Sequence, residues 1–136
     1  MKVTTTFNFN NQYGRIYDRD EISKALNDYV NRHNDDQMFG EIHHGREFDD
    51  GVIHLKDVSH KIKTINNDND IVSIEAELLD TPKGKLVQEM INAGCSISMH
   101  PRMYGHTEDV INEDGNVVGQ KTVIDNIVSF DIDINR

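Results

Sequence analysis

Two strand-like runs flanking an unbroken stretch of Asn and Asp set the tightest limit on how this chain can fold. The runs are Val58 to Ile65 and Ile71 to Leu79; in the second, Val72, Ile74, Ala76 and Leu78 alternate with Ser73, Glu75 and Glu77. A period of two puts one set on a single face of a sheet. Between the runs lies Asn66-Asn67-Asp68-Asn69-Asp70, whose side chains favour turns and left-handed backbone, so the segment predicts an antiparallel hairpin.

The same periodicities place the other elements. Val3, Thr5, Phe7 and Phe9 alternate with polar residues and predict a half-buried strand. Ile22, Ala25, Leu26, Tyr29 and Val30 recur at helical spacing and predict a helix ending near Asn31, with Asp18 and Glu21 in the form of a capping box. Met38 to His44 predicts a short strand. A second helix follows from Thr81 as N-cap, Pro82 at the first helical position, a buried stripe of Leu86, Val87, Met90 and Ile91, and Gly94 as the stop. Ser96 to Met103 predicts a strand that Pro101 confines to an edge or an irregular ladder. Glu113-Asp114-Gly115-Asn116 predicts an exposed, acidic hairpin tip, and the last strand has Val128, Phe130, Ile132 and Ile134 on one face with Ser129, Asp131 and Asp133 on the other. The sum is an α+β fold: six or seven mostly antiparallel strands in a curved or barrel-like sheet, with two helices, in a single domain spanning residues 1–136.

Composition narrows the function. With 24 acidic against 14 basic residues the net charge is −10, and such a surface repels phosphate backbones and anionic membranes, so no direct nucleic-acid partner is expected. No apolar run reaches the length of a bilayer span, and the N-terminal residues lack the apolar core of a signal peptide, so no membrane association is expected either. The lone Cys95 excludes an internal disulfide and predicts a buried, inert thiol.

Three segments carry a resemblance. Gly40-Glu41-Ile42-His43-His44, then Val58-Ser59-His60, then Glu75 to Lys85 with its Asp80-Thr81-Pro82-Lys83-Gly84 core resemble, in that order, the prohead proteases of tailed bacteriophages, members of the herpesvirus assemblin-like group. Ala93-Gly94 matches the end of the family helix, and Ser129-Phe130-Asp131-Ile132 is similar to the family's closing strand, so the resemblance covers about residues 38–134. It implies a fold whose active members cleave scaffold and capsid proteins with a serine supported by histidine. His44 falls at the catalytic histidine position. An ungapped count from Ala93-Gly94 puts His100 and Pro101 where the family has two serines, with Arg102 at the arginine that helps hold the oxyanion.

The nucleophile is therefore absent from its expected place. Ser98 is the nearest substitute and shares a strand face with His100, but sits about 7 Å along the strand. The resemblance without its serine implies a virion structural protein, made in the host bacterial cytoplasm: an auxiliary or cement protein of the capsid, with the major capsid protein or other virion subunits as partners and no small-molecule substrate or cofactor. A portal, neck or tail component is the same reading in a different place. The rival is a maturation protease with a relocated nucleophile, Ser98 or Ser96, served by His44. His43 or His44, His54, His60 and His100 match no metal-binding spacing, so no metal ligands are assigned.

Overall fold

The computed structural model describes residues 1–11, 17–33, 38–43 and 51–134. Within them six strands and two α-helices form an α+β fold of two antiparallel sheets, and the strands do not close into a barrel. One sheet has four strands in the order β1 (Lys2–Asn8), β4 (Ile71–Leu78), β3 (Val58–Asp68), β2 (Phe39–Glu41). The other is a hairpin of β5 (Ile97–Ile111) and β6 (Val117–Ile134). The sheets meet where β2 ends: Ile42 bridges to Ile132 in parallel, and the His43 N–H donates to the Ile132 carbonyl at 2.8 Å.

The expected β3–β4 hairpin is present with a tighter turn. Asp68 pairs with Ile71, so Asn69 and Asp70 alone make the turn, and Asn69 takes the left-handed φ of 60°. Asn66, Asn67 and Asp68 continue the ladder because both faces are open to water there, where polar side chains cost nothing. Val72, Ile74 and Ala76 of β4 are fully buried and join Phe7 and Phe9, from the N-terminal strand and the 3-10 turn after it, in one core.

Helix α1 (Arg19–His33) lays Ile22, Leu26 and Tyr29 on that core, with the Tyr29 ring edge-on to Phe130 at 5.7 Å. Its N-terminus differs from the expected capping box. The Glu21 carboxylate turns away from Asp18 and accepts the Ile124 N–H at 2.9 Å, which fastens α1 to β6. At the other end the Arg32 guanidinium donates to Asn126 Oδ1 and to the Ile127 carbonyl.

Helix α2 (Pro82–Asn92) starts and stops as its sequence predicts. Thr81 Oγ1 accepts the Gly84 N–H at 3.0 Å, and its hydroxyl donates to the Val58 carbonyl at 2.6 Å. The end is a Schellman arrangement: Gly94 at φ 100° donates to the Ile91 carbonyl and Cys95 to that of Met90. Two details differ from expectation. Leu86 faces solvent, because Gly84 and Val87 form the contact line, and Cys95 is half-buried because it lies past the cap.

The β5–β6 hairpin is longer than its apolar pattern suggests. β5 leaves the core beyond Met103 and β6 joins it only from Ile124, and between these points the two strands run out to the tip at Asn112–Asn116, where Asn112 Oδ1 accepts from the Asp114 and Asn116 amides. With no buried face there is no hydrophobic alternation to read. The ribbon is held instead by its ladder and by cross-strand pairs such as Glu108 with Lys121 at 3.5 Å and Asp109 with Gln120 at 3.1 Å.

Gly84 sets how closely α2 approaches the sheet, since a Cβ there would lie 2.0 Å from the Leu79 carbonyl oxygen and 2.7 Å from that of Ser59. Gly84→Ala is expected to lower stability to urea by about 3 kcal/mol, the upper range for overpacking. Gly119→Ala, where a Cβ meets nothing within 4 Å, should change it by less than about 0.5 kcal/mol.

Candidate functional site

Six polar or charged residues are buried among the described ones: Glu41, Ser59, His60, Arg102, Ser129 and Asp131. They lie together where β2 is sandwiched between β3 and the inner half of the β5–β6 hairpin. Arg102 reaches from β5 into this layer. Its Nε lies 2.9 Å from Asp131 Oδ2, its Nη2 2.6 Å from Glu41 Oε1, and its Nη1 donates to the Val52 carbonyl at 3.1 Å. The Ser129 hydroxyl accepts from Nη2 at 3.2 Å and donates to Asp131 Oδ1 at 2.7 Å. Asp131 Oδ1 also accepts the Glu41 amide at 3.1 Å. Charges so deep in protein persist only when paired and hydrogen-bonded, and each of these is.

Ser129 and Asp131, on the polar face of the last strand, are both buried, because β2 and the Arg102 side chain cover that face.

His60 forms the second half of the layer. Its Nε2 lies 2.8 Å from the Phe130 carbonyl oxygen, an acceptor only, so the proton sits on Nε2 and Nδ1 accepts the Ser59 hydroxyl at 2.7 Å. Gly40 makes this possible: a Cβ there would fall 2.2 Å from His60 Nε2 and 2.5 Å from the Phe130 oxygen. Burial pushes the His60 pKa down, outweighing the opposing pull of the Phe130 carbonyl and Asp131. Ser59 and His60 are a hydroxyl–imidazole pair with the geometry of an activated serine, sealed from any peptide.

Toward the start of β5, on the same face as Arg102, Ser98 Oγ lies 2.9 Å from His100 Nε2, the same-face pair that their spacing predicts. His100 is half-buried, with Phe7 edge-on to its ring at 5.8 Å. Burial and the nearby His43 lower its pKa, and Asp133 opposes them, so the ring is neutral at neutral pH and can accept the Ser98 proton. His44, the residue that resemblance sets at the catalytic position, lies outside the described residues.

Among the described residues, the histidines of that set lie in different places: His60 is in the core layer, His100 is half-buried near the start of β5, and His54 stands beside Glu41. Sequence reasoning singled out Arg102, His100 and Ser98 but missed Glu41, Asp131 and Ser129 as partners of the arginine. A signal was present, since Glu41 belongs to the Gly-Glu motif and Asp131 to the Phe-Asp ending.

No protein-family model matches the sequence, and no curated protein matches it. Among solved structures, the bacteriophage T4 capsid assembly protease gp21 is similar in fold, with a TM-score of 0.66 at 18% sequence identity, covering 97% of this chain and 79% of that one. The fold is thus prohead-protease-like, and the structural likeness takes in the N-terminal elements as well as residues 38–134.

Arg102→Met would leave Glu41 and Asp131 buried beside a thioether, and is expected to cost about 3–5 kcal/mol in urea unfolding at neutral pH. His60 makes stability depend on pH. Its folded pKa lies below the unfolded value, so its contribution is complete above the unfolded pKa and is lost as pH falls toward the folded one. The slope from this residue approaches about 1.4 kcal/mol per pH unit below about pH 6.5. Unfolding free energies measured from pH 7.5 to 5 should fall less steeply in His60→Gln than in the parent.

Proposed function

We propose that this chain is a structural component of a phage particle, an auxiliary or cement subunit of the capsid, built on a prohead-protease-like fold that no longer cuts peptides. The observation that carries the reading is His100. It stands where the resemblance puts the nucleophilic serine, packed against Phe7 on one side and bonded to Ser98 on the other. A histidine there cannot form the acyl intermediate of a serine protease. Arg102, the counterpart of the family's oxyanion-holding arginine, is committed to Glu41 and Asp131.

The long hairpin supports the same reading. Val110, Ile111, Val117 and Val118 are 41–61% exposed at its far end, an apolar surface on a projecting arm with acidic residues at the turn. Such a surface suits contact with the major capsid protein or another virion subunit. A place at the portal, neck or tail would use the arm in the same way.

One observation favours a second reading. The 2.9 Å bond between Ser98 and a neutral His100 is an acid–base pair in reach of solvent, and it would let Ser98 act as a relocated nucleophile in a maturation protease.

The readings separate in two measurements on the full chain. As a particle component it should be recovered uncleaved from purified mature particles. Ile111→Asp with Val117→Asp should abolish that recovery while leaving the far-ultraviolet circular dichroism unchanged. A fluorophosphonate probe should give no label. Labelling that Ser98→Ala removes, together with cleavage of capsid or scaffold protein by the parent chain, would establish the protease instead.

A further inference from the structure

We propose that Glu41, His54 and Asp57 form a binding site for a divalent transition ion of the zinc class, at the junction between β2 and the turn that leads into β3. The three side chains bring one donor atom each, a histidine nitrogen and two carboxylate oxygens, to within 4.8 Å of one another. This donor set, one imidazole and two carboxylates, suits zinc.

The local backbone explains why they converge. Residues 55–57 form a 3-10 turn closed by the Asp57 amide on the His54 carbonyl at 2.9 Å. In 3-10 geometry positions i and i+3 lie one above the other, so His54 and Asp57 project from the same side. They project toward Glu41, whose Oε2 accepts the His54 amide at 3.1 Å and lies 3.4 Å from His54 Nδ1. A tetrahedral zinc with bonds of about 2.0–2.1 Å to nitrogen and oxygen holds its ligand atoms about 3.4 Å apart. The Glu41–His54 pair already has that edge length. Asp57 is only half-buried, so its side chain is free to turn and bring a carboxylate oxygen to the same separation.

Glu41 is also prepared as a ligand. Its other oxygen is held by Arg102 at 2.6 Å, and its own amide donates to Asp131, so the carboxylate cannot turn away from the site. Outer hydrogen bonds of this kind orient metal-binding carboxylates and strengthen the site. Three protein donors leave a fourth position, and the partial exposure of His54 and Asp57 opens it to water. The site does not use Ser98 or His100 and stands apart from whether the fold cuts peptides.

The test is calorimetric titration of chelator-treated full-length protein with zinc ion at pH 7.5, with cobalt(II) absorption as an optical readout. We expect one ion per chain, and a visible cobalt band whose intensity marks a four-coordinate site. His54→Ala and Asp57→Asn should each weaken binding at least about tenfold. Both positions are partly exposed, so the variants should remain folded by circular dichroism. His106→Ala, on the distant hairpin, should bind as the parent does. Absence of binding up to millimolar zinc in the folded parent would overturn the proposal. So would affinity unchanged in the His54→Ala, Asp57→Asn double variant.

Discussion

The buried guanidinium of Arg102 is the interaction on which the two halves of the molecule depend. It extends from β5 and joins Glu41 of β2, Asp131 and Ser129 of β6, and the Val52 carbonyl ahead of β3. Ions removed from water incur several kcal/mol of desolvation each, which attraction offsets only when geometry is close and the remaining donors are used. Here Nε, Nη1 and Nη2 all have acceptors. An apolar layer could give similar stability, but it would not fix register as this one does: a one-residue slip of β6 would take Asp131 off the face that meets Arg102.

Around that constraint the chemistry divides into an inner and an outer pair. Ser59 and His60 are bonded and inaccessible, a strut across β2 that needs Gly40 to pass. Ser98 and His100 are bonded and partly accessible, on the same face of β5 as Arg102 but nearer the start of the strand. The two pairs show how little a hydroxyl–imidazole contact says by itself. Burial decides that the first supports the fold, and only the second is placed where a substrate could meet it.

The projecting part of the hairpin obeys different physics from the rest. It leaves the core after Met103 and has no hydrophobic layer beneath it, so its order comes from ladder hydrogen bonds and cross-strand pairs. A two-stranded ribbon of this kind is marginal alone but is anchored at its base by Ile127, Phe130 and Met99. Its valines and isoleucine at the far end stay 41–61% exposed, so they add little burial to the free chain.

By itself the sequence determined whatever depends on neighbours a few residues apart: the β3–β4 hairpin, the Thr81 cap, the Gly94 stop, the helical stripe of α1, and the tip at Gly115. Periodicity and caps are local, so they are legible without the fold. The arrangement into two sheets, the burial of Ser129 and Asp131, and the turn of Glu21 toward β6 were decided only in three dimensions. Glu41 and Arg102 meet across 61 residues, and the Glu41 amide meets Asp131 across 90. A polar residue on a strand reads as solvent-facing until something covers it. Whether a distant arginine supplies that cover is a property of packing, which no local pattern encodes.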